Sequence, residues 1–84
     1  MPKVEWDEEA LDDLEKIDRP IAKRILHKIF WFSKYFDTIT PEPLSADMAG
    51  LFKLRVGDWR VIYEIGKDVI IVKAVGHRRE VYKL

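Results

Sequence analysis

Apolar and polar residues alternate along two consecutive segments of the second half of the chain, and this pattern constrains the fold more than any other feature. The segments are residues 52–56 and 59–65, and the Gly57-Asp58 pair between them suits a type II′ turn, which places glycine first. A third run, residues 69–75, follows a second turn and is apolar except at Lys73, as in a central strand. The pattern predicts an antiparallel β-meander.

The first half of the chain predicts a short strand and two helices. Residues 3–6 alternate as a strand does. Asp7 and Asp18 stand where helix N-caps are preferred, and we expect the Asp7 carboxylate to accept from the first backbone N–H groups. Pro20 is tolerated in the first turn of the second, longer helix because its missing N–H would have no partner there. Residues 37–50 have no period and indicate a loop. The apolar positions at helical spacing are Ala10, Leu11, Leu14 and Ile17, then Ile21, Ile25, Ile29, Phe32 and Phe36.

The order of these elements predicts an α+β fold: an N-terminal strand, a helical hairpin, and an antiparallel β-meander with the helices packed on one face of the sheet. A chain of 84 residues provides one hydrophobic core, so we expect residues 1–84 to form a single domain. The longest apolar runs are four residues long, whereas a membrane-spanning helix takes about 20. No targeting segment is recognisable at the N-terminus. These features predict a cytoplasmic protein without a membrane segment.

Cysteine and histidine limit the chemistry that the chain can perform. Cysteine is absent, which excludes disulfides, thiol nucleophiles and thiolate metal ligands. The two histidines, His27 and His77, are fifty positions apart and lack the spacing of a metal site. His27 falls among helix residues, where we expect it on the surface or in a satisfied core position. We therefore expect neither a metal nor a cofactor.

The turn at Gly57-Asp58 determines which side chains share a face of the hairpin. With that centre, Arg55 lies opposite Arg60, and Lys53 projects from the same face as both. Like charges directly opposite each other are destabilising unless an anion or an acidic partner lies between them. The alternative is a solvated polar face on which Glu64 and Asp58 act as counter-ions. The opposite, apolar face is predicted to contain Phe52, Leu54, Val56, Trp59, Val61 and Tyr63.

The charges are distributed unevenly, although their formal sum is zero. Residues 1–18 contain eight acidic and two basic side chains. Residues 53–84 contain eight basic and four acidic ones, and the segment between has a small basic excess. This asymmetry indicates a polyanion or an acidic partner for the C-terminal half.

The C-terminal tail adds guanidinium groups and an aromatic ring. Arg78 and Arg79 follow the predicted end of the central strand, and Tyr82 comes three residues after Arg79. Guanidinium groups that bind phosphate, beside a ring on which a base can stack, suit single-stranded RNA. The alternative is that Tyr82 packs on the edge of the sheet.

Two segments resemble a known family. Residues 50–65 (GLFKLRVGDWRVIYEI) and residues 75–82 (VGHRREVY) are similar to the RelE branch of the RelE/ParE toxins of bacterial and archaeal toxin–antitoxin modules. The resemblance extends over the whole chain in length and element order. It implies a metal-independent endoribonuclease that enters the ribosomal A site and cuts mRNA there. It also implies an antitoxin partner, which we expect to be acidic and partly disordered.

The resemblance also implies catalytic residues. The family's basic and tyrosine positions fall on Lys53, Arg55, Arg60, Arg78 and Tyr82. The implied reaction is attack of a ribose 2′-hydroxyl on the adjacent phosphate, which leaves a cyclic phosphate and a 5′-hydroxyl. Arg55 and Arg60 would stabilise charge on the phosphate, and Lys53 would be the base, its pKa depressed by neighbouring cations. Arg78 would lie on the leaving-group side, and the ring of Tyr82 would orient a base by stacking. Lys53, Arg55, Arg60, Arg79 and Tyr82 are the expected RNA-binding residues.

Two positions depart from the family pattern. Family members often have lysine where this chain has Arg55, and arginine is a poor general base because it does not readily lose a proton. His77 stands where other members tend to have another basic residue. Because the charge of histidine changes near neutral pH, His77 is a candidate general acid or base. The alternative is a loop histidine that touches RNA or solvent.

Two other functions fit the same sequence. The ParE branch shares the fold but inhibits DNA gyrase and lacks the nuclease residues. A non-catalytic relative would use the basic face only to bind an antitoxin or RNA. The joint presence of Lys53, Arg55, Arg60, Arg78 and Tyr82 favours the nuclease.

Overall fold

The computed structural model describes residues 1–81, which form two helices and five strands. In chain order the elements are β1 (Lys3–Trp6), α1 (Glu8–Glu15), α2 (Arg19–Lys34), a 3₁₀ turn (Phe36–Thr38), β2 (Glu42–Pro43), β3 (Phe52–Val56), β4 (Trp59–Gly66) and β5 (Val69–His77). The predicted α+β fold is confirmed. The predicted loop at residues 37–50 is interrupted by the 3₁₀ turn and by the two-residue strand β2.

All five strands belong to one mixed sheet in the order β1-β5-β4-β3-β2. The meander of β3, β4 and β5 is antiparallel, as predicted, while β1 lies parallel to β5 on its other side. β5 therefore has a neighbour on each side, which explains its apolar sequence. A bulge in the pairing of β4 with β5 leaves Lys73 without an opposite residue, since Ile62 pairs with Ala74 and Tyr63 with Val72.

The acidic residues of the first segment connect α1 to the sheet. Asp7 occupies the N-cap position of α1 as predicted, but its side chain makes no capping hydrogen bond within residues 1–81. Its carboxylate instead pairs with the Lys73 ammonium at 2.7 Å. Six residues further along the chain, Asp13 Oδ2 accepts a hydrogen bond from the backbone N–H of Val75 at 2.9 Å. The expected cap is replaced by contacts that fix α1 against β5.

The two faces of the sheet are covered differently. Both helices pack on one face, where Ala10, Ile25 and Ile29 meet Val61 and Val72 in the main core. Next to it, Phe32 of α2 packs edge-on against the ring of Tyr63, with centroids 5.1 Å apart. On the other face, Ile62 and Ala74 form a small cluster with Leu44, Leu51 and Val81. The helices therefore pack on one face as predicted, and the second face is only partly covered.

Among residues 1–81, no helix has the length and apolarity needed to cross a membrane.

Candidate functional site

The register of β3 and β4 places the predicted basic residues as the turn geometry requires. Arg55 lies opposite Arg60 and Lys53 lies opposite Ile62. The apolar residues of the hairpin contribute to the clusters packed under the helices. Lys53, Arg55 and Arg60 therefore share the face of the sheet turned away from the helices.

Arg60 is held by its own turn. The residue is only 7% exposed, and its Nη1 donates hydrogen bonds to the carbonyl oxygens of Gly57 at 2.7 Å and Trp59 at 2.8 Å. Gly57 adopts a φ of +59°, which is the left-handed conformation that favours glycine. Arg60 Nε is buried and has no hydrogen-bond partner among residues 1–81. A buried donor without a partner costs about 1–3 kcal/mol.

Glu42 is the acidic partner of the two cations on β3. Arg55 donates from Nε to Glu42 Oε1 at 2.9 Å and from Nη2 to Oε2 at 2.7 Å, a bidentate pair. Lys53 Nζ lies 3.6 Å from the same Oε2, and Glu42 pairs with Lys53 across the β2–β3 ladder. The hydrogen bonds from Arg55 are the main cause that holds the pKa of Glu42 below its ordinary value, and the charge of Lys53 acts in the same direction.

This pairing changes the expected charge balance of the face. The sequence suggested Glu64 and Asp58 as counter-ions, whereas within residues 1–81 both Lys53 and Arg55 contact Glu42. Lys53 therefore faces a carboxylate as well as cations. Glu42 was not predicted as a site residue because it lies in the segment without a period. Its position as an acidic residue between two prolines was the only feature of the sequence that marked it.

Arg78 lies beside the turn that holds Arg60. Its backbone N–H donates to the carbonyl oxygen of Asp58 at 2.8 Å, and its Nε lies 3.7 Å from Asp58 Oδ1. In the β4–β5 ladder, Gly76 is directly opposite Arg60, two residues before Arg78. Arg78 is thus brought to the Arg60 end of the site. Arg79 is exposed, and the predicted position Tyr82 lies outside the described residues.

His77 lies on the other face of the sheet. β5 extends to His77, which pairs with Trp59 and contacts its ring edge-on, with centroids 5.6 Å apart. Trp59 belongs to the core under the helices, so His77 shares the helix-side face and not that of Arg60. His77 Nδ1 accepts from the backbone N–H of Arg79 at 3.3 Å. The structure does not bring His77 together with the three strand cations.

The site opens sideways into a groove between β3 and α2. A volume of about 240 Å³ is lined by Glu42, Lys53, Arg55 and Tyr63, with Lys28 and Trp31 of α2 on the other wall. Burial is the main cause that raises the pKa of Tyr63 to about 12, and the charge of Glu42 adds to it. The phenol therefore stays protonated at neutral pH. Within residues 1–81, no cluster of side chains has the composition of a metal site.

The distribution of charged groups can bind an anion. Arg60 is fixed, Arg55 and Lys53 already hold a carboxylate, and Arg78 lies at the adjacent turn.

Residues 4–82 match the family model described as the ParE toxin of a type II toxin–antitoxin system, parDE. The chain belongs to this family. It is a toxin of the RelE/ParE superfamily, with the fold of the RelE and YoeB toxins.

Solved structures agree on the fold. The chain resembles one in the RelBE2 toxin–antitoxin complex from Mycobacterium tuberculosis, with 27% identity and a TM-score of 0.80 over 93% of this chain and 100% of that one. The isolated Escherichia coli RelE toxin is 21% identical, with a TM-score of 0.76 over 99% of this chain and 93% of that one. A chain of the Staphylococcus aureus YoeB–YefM complex is 14% identical, with a TM-score of 0.71 over 92% and 97%. No curated protein sequence matches the chain.

These comparisons differ in the branch that they name. The family model is named for ParE, whereas the structural neighbours are RelE and YoeB toxins. The fold and toxin class are common to both. The chemistry of the site must therefore distinguish the branches.

Proposed function

We propose that this toxin is a metal-independent endoribonuclease that cleaves mRNA in the ribosomal A site. The observation that carries the proposal is the joint placement of Lys53, Arg55 and Arg60 on one face of the sheet, with Arg78 at the adjoining turn. The bidentate Arg55–Glu42 pair supports it, because a guanidinium that binds a carboxylate in this way can bind a phosphate in the same way. Such a protein would act in the cytoplasm, where ribosomes translate.

The proposed reaction needs the chain, its RNA and solvent water. The 2′-oxygen of the ribose forms a bond to the adjacent phosphorus, the bond from phosphorus to the 5′-oxygen breaks, and a 2′,3′-cyclic phosphate and a 5′-hydroxyl result. Arg60 and Arg55 stabilise the additional negative charge on the pentacoordinate phosphorus. Lys53, which like Arg55 contacts Glu42, is the proposed acceptor of the 2′-hydroxyl proton. The leaving 5′-oxygen takes a proton from solvent water, and Lys53 returns its proton to solvent, so the chain is unchanged at the end of the reaction. Arg78 binds on the leaving-group side, and Tyr82 stacks on a base.

The proposed protein partner is the antitoxin of the same module. The RelBE2 and YoeB–YefM structures are toxin–antitoxin complexes, which supports a partner of this kind for the present chain. An acidic, partly disordered antitoxin segment would compete with phosphate for the basic face, as Glu42 already does within the chain. Binding should weaken as salt concentration rises, because salt screens the attraction between an acidic segment and the exposed side chains of Arg55 and Arg78. A pull-down with increasing salt measures this, and binding indifferent to salt contradicts it.

The name of the matching family model favours one other function, inhibition of DNA gyrase. The two functions separate in one experiment. The chain is expressed briefly, and the 5′ ends of cellular mRNA are mapped while the supercoiling activity of gyrase is assayed with the purified protein. The proposal predicts new 5′ ends confined to translated frames and unimpaired supercoiling. Blocked supercoiling without new 5′ ends assigns the chain to the gyrase inhibitors.

A further inference from the structure

A second basic surface lies between α2 and the end of β3, next to the proposed cleavage site. Its lining side chains come from one face of α2, at spacings of three and four residues, and from the end of β3 and its turn. The groove has a volume of about 490 Å³. We call it the helix groove, and it is lined chiefly by Arg24, His27, Lys28 and Trp31 of α2, with Arg55 and Gly57.

The cations of the helix groove differ from those of the cleavage face in their partners. Within residues 1–81, neither Arg24 nor Lys28 forms an ion pair with a carboxylate, whereas Arg55 is paired with Glu42. None of the residues that line the helix groove is acidic. Like charges gathered without a counter-ion repel each other, so this surface favours an anionic ligand.

Two contacts hold these cations at the groove. The Arg24 guanidinium lies against the β3–β4 turn, since a Cβ built on Gly57 would be 3.0 Å from Arg24 Nη2. The Lys28 ammonium lies 4.1 Å from the centroid of the Trp31 ring, within the range of a cation–π interaction. Trp31 is itself 44% exposed, so the groove presents an aromatic surface between basic side chains. That combination suits single-stranded RNA.

The helix groove is continuous with the cleavage site. Arg55 lines both the helix groove and the smaller groove that contains Glu42 and Lys53, and Lys28 and Trp31 also line both. We propose that the helix groove binds the RNA strand on one side of the cleaved phosphate, through phosphate contacts with Arg24 and Lys28. The inference rests on the proposed function, because that function places an RNA phosphate at Arg55 and Arg60.

The test compares two matched double variants of the full chain. Arg24→Gln with Lys28→Gln removes two cations from the helix groove. Lys23→Gln with Lys34→Gln removes two exposed cations from the same helix that do not line it. The probes are a fluorescent 12-nucleotide single-stranded RNA and a trinucleotide, both 2′-O-methylated so that the nucleophile of cleavage is blocked. Binding is measured by fluorescence anisotropy from 50 to 300 mM salt, after circular dichroism has shown that each variant is folded.

We expect the groove variant to bind the 12-nucleotide RNA about tenfold more weakly at 0.1 M salt. The slope of log K against log salt should be reduced in magnitude by about 1.4, which is the value for two lost phosphate contacts on a single strand. Its affinity for the trinucleotide should fall less, because of the two removed cations only Lys28 also lines the smaller groove. The control variant should keep the wild-type slope. An equal loss in both variants, or no loss in the groove variant, overturns the inference.

Two additional comparisons separate RNA binding from protein binding, and the helix groove from the proposed function. A 12-residue polyglutamate peptide stands in for an acidic protein partner; if the groove variant loses affinity for the peptide and retains it for RNA, the groove is a protein-binding surface and the inference is wrong. If the wild-type protein cleaves mRNA but the groove variant binds RNA as tightly as the wild type does, the inference about the helix groove is wrong and the proposed function stands. A wild-type protein that binds neither RNA overturns the inference, and the proposed function falls with it only if expression of the chain also produces no new mRNA 5′ ends.

Discussion

Arg55 and Arg60 face each other across β3 and β4, but the structure holds them in different ways. Arg60 is buried, and two backbone carbonyl oxygens of its own turn fix the guanidinium. The side chain of Arg55 is 58% exposed, and the carboxylate of Glu42 fixes it. Backbone carbonyls keep their positions when an anion binds, whereas a glutamate side chain can be displaced. The site therefore combines a preorganised cation with one whose partner can be exchanged for phosphate.

Removal of the preorganised cation should have the largest effect. Arg60→Ala deletes the fixed guanidinium and leaves the apolar residues under the helices unchanged, so we expect cleavage to fall by about 10²–10³-fold, as for other single donors to a developing charge. Growth inhibition by the chain expressed alone should disappear. The measurement is the yield of new mRNA 5′ ends, with growth curves in parallel. Lys67→Ala, an exposed change in the turn between β4 and β5, is the control. A folded Arg60→Ala protein that is fully toxic contradicts the assignment.

The turn that holds Arg60 can be disturbed without touching the arginine. Gly57→Ala forces an L side chain into a φ of +59°, which costs about 1–2 kcal/mol and should lower the free energy of unfolding by that amount. Because the Gly57 carbonyl binds Arg60, and the added methyl group would lie 3.0 Å from Arg24 Nη2, cleavage should also decrease. Gly50→Ala is the control, since Gly50 has a φ of +85° but no neighbouring atom within 4 Å of a built Cβ. Urea unfolding should show a loss in both variants, and only Gly57→Ala should cleave less. Equal cleavage by the two variants would show that the conformation of this turn does not affect the cleavage site.

The hairpin was predictable because its determinants are local. The alternation of residues 52–65 and a two-residue turn fix the register, and the register alone places Lys53, Arg55 and Arg60 on one face. The position of β1 was not predictable in this way, because its parallel pairing with β5 joins residues more than sixty positions apart. Four alternating residues do not specify which edge of a sheet they will join.

Glu42 and the helix groove escaped prediction for a related reason. Glu42 lies in a segment without a period, and its pairing with β3 depends on how that segment returns to the edge of the sheet. Arg24 and Lys28 were recognisable as basic helix residues, but their approach to the β3–β4 turn depends on the packing of α2 on the sheet. His77 was expected beyond the strand, and the extension of β5 determines its face. Nonlocal packing decides all three positions.

The exchangeable partner of Arg55 can be neutralised by Glu42→Gln. Because Arg55 lowers the pKa of Glu42 in the folded protein, the stabilising effect of the carboxylate is complete above the ordinary value of 4.5 and is lost as pH falls through the lowered pKa. We expect the variant to lose less than about 1 kcal/mol of unfolding free energy at pH 7, since the pair is largely exposed. The difference from wild type should shrink as pH falls below 4.5.

The same variant should bind RNA severalfold more tightly, because phosphate no longer has to displace the Glu42 carboxylate from Arg55 and Lys53. Anisotropy with the 2′-O-methylated 12-nucleotide RNA measures the affinity, and urea unfolding at several pH values measures the stability. Glu64→Gln is the control, because Glu64 makes no ion pair with either cation within residues 1–81. Weaker RNA binding by Glu42→Gln, or an equal gain in the control, would show that Glu42 does not compete with phosphate.

The smallest effect is expected at His77, which lies on the face of the sheet opposite Arg60. A general acid or base contributes about 10²–10⁴-fold to a rate, and its removal changes the pH dependence of the reaction. Because the ring of His77 packs against Trp59 on the helix side, we expect His77→Gln to retain most of the cleavage activity with an unaltered pH profile. His27→Gln removes the other histidine of the chain, which lines the helix groove, and shows whether a changed pH profile belongs to His77 alone. A profile that loses one titration step only in His77→Gln would show that β5 delivers this histidine to the phosphate, and the division of roles between the two faces of the sheet would then be wrong.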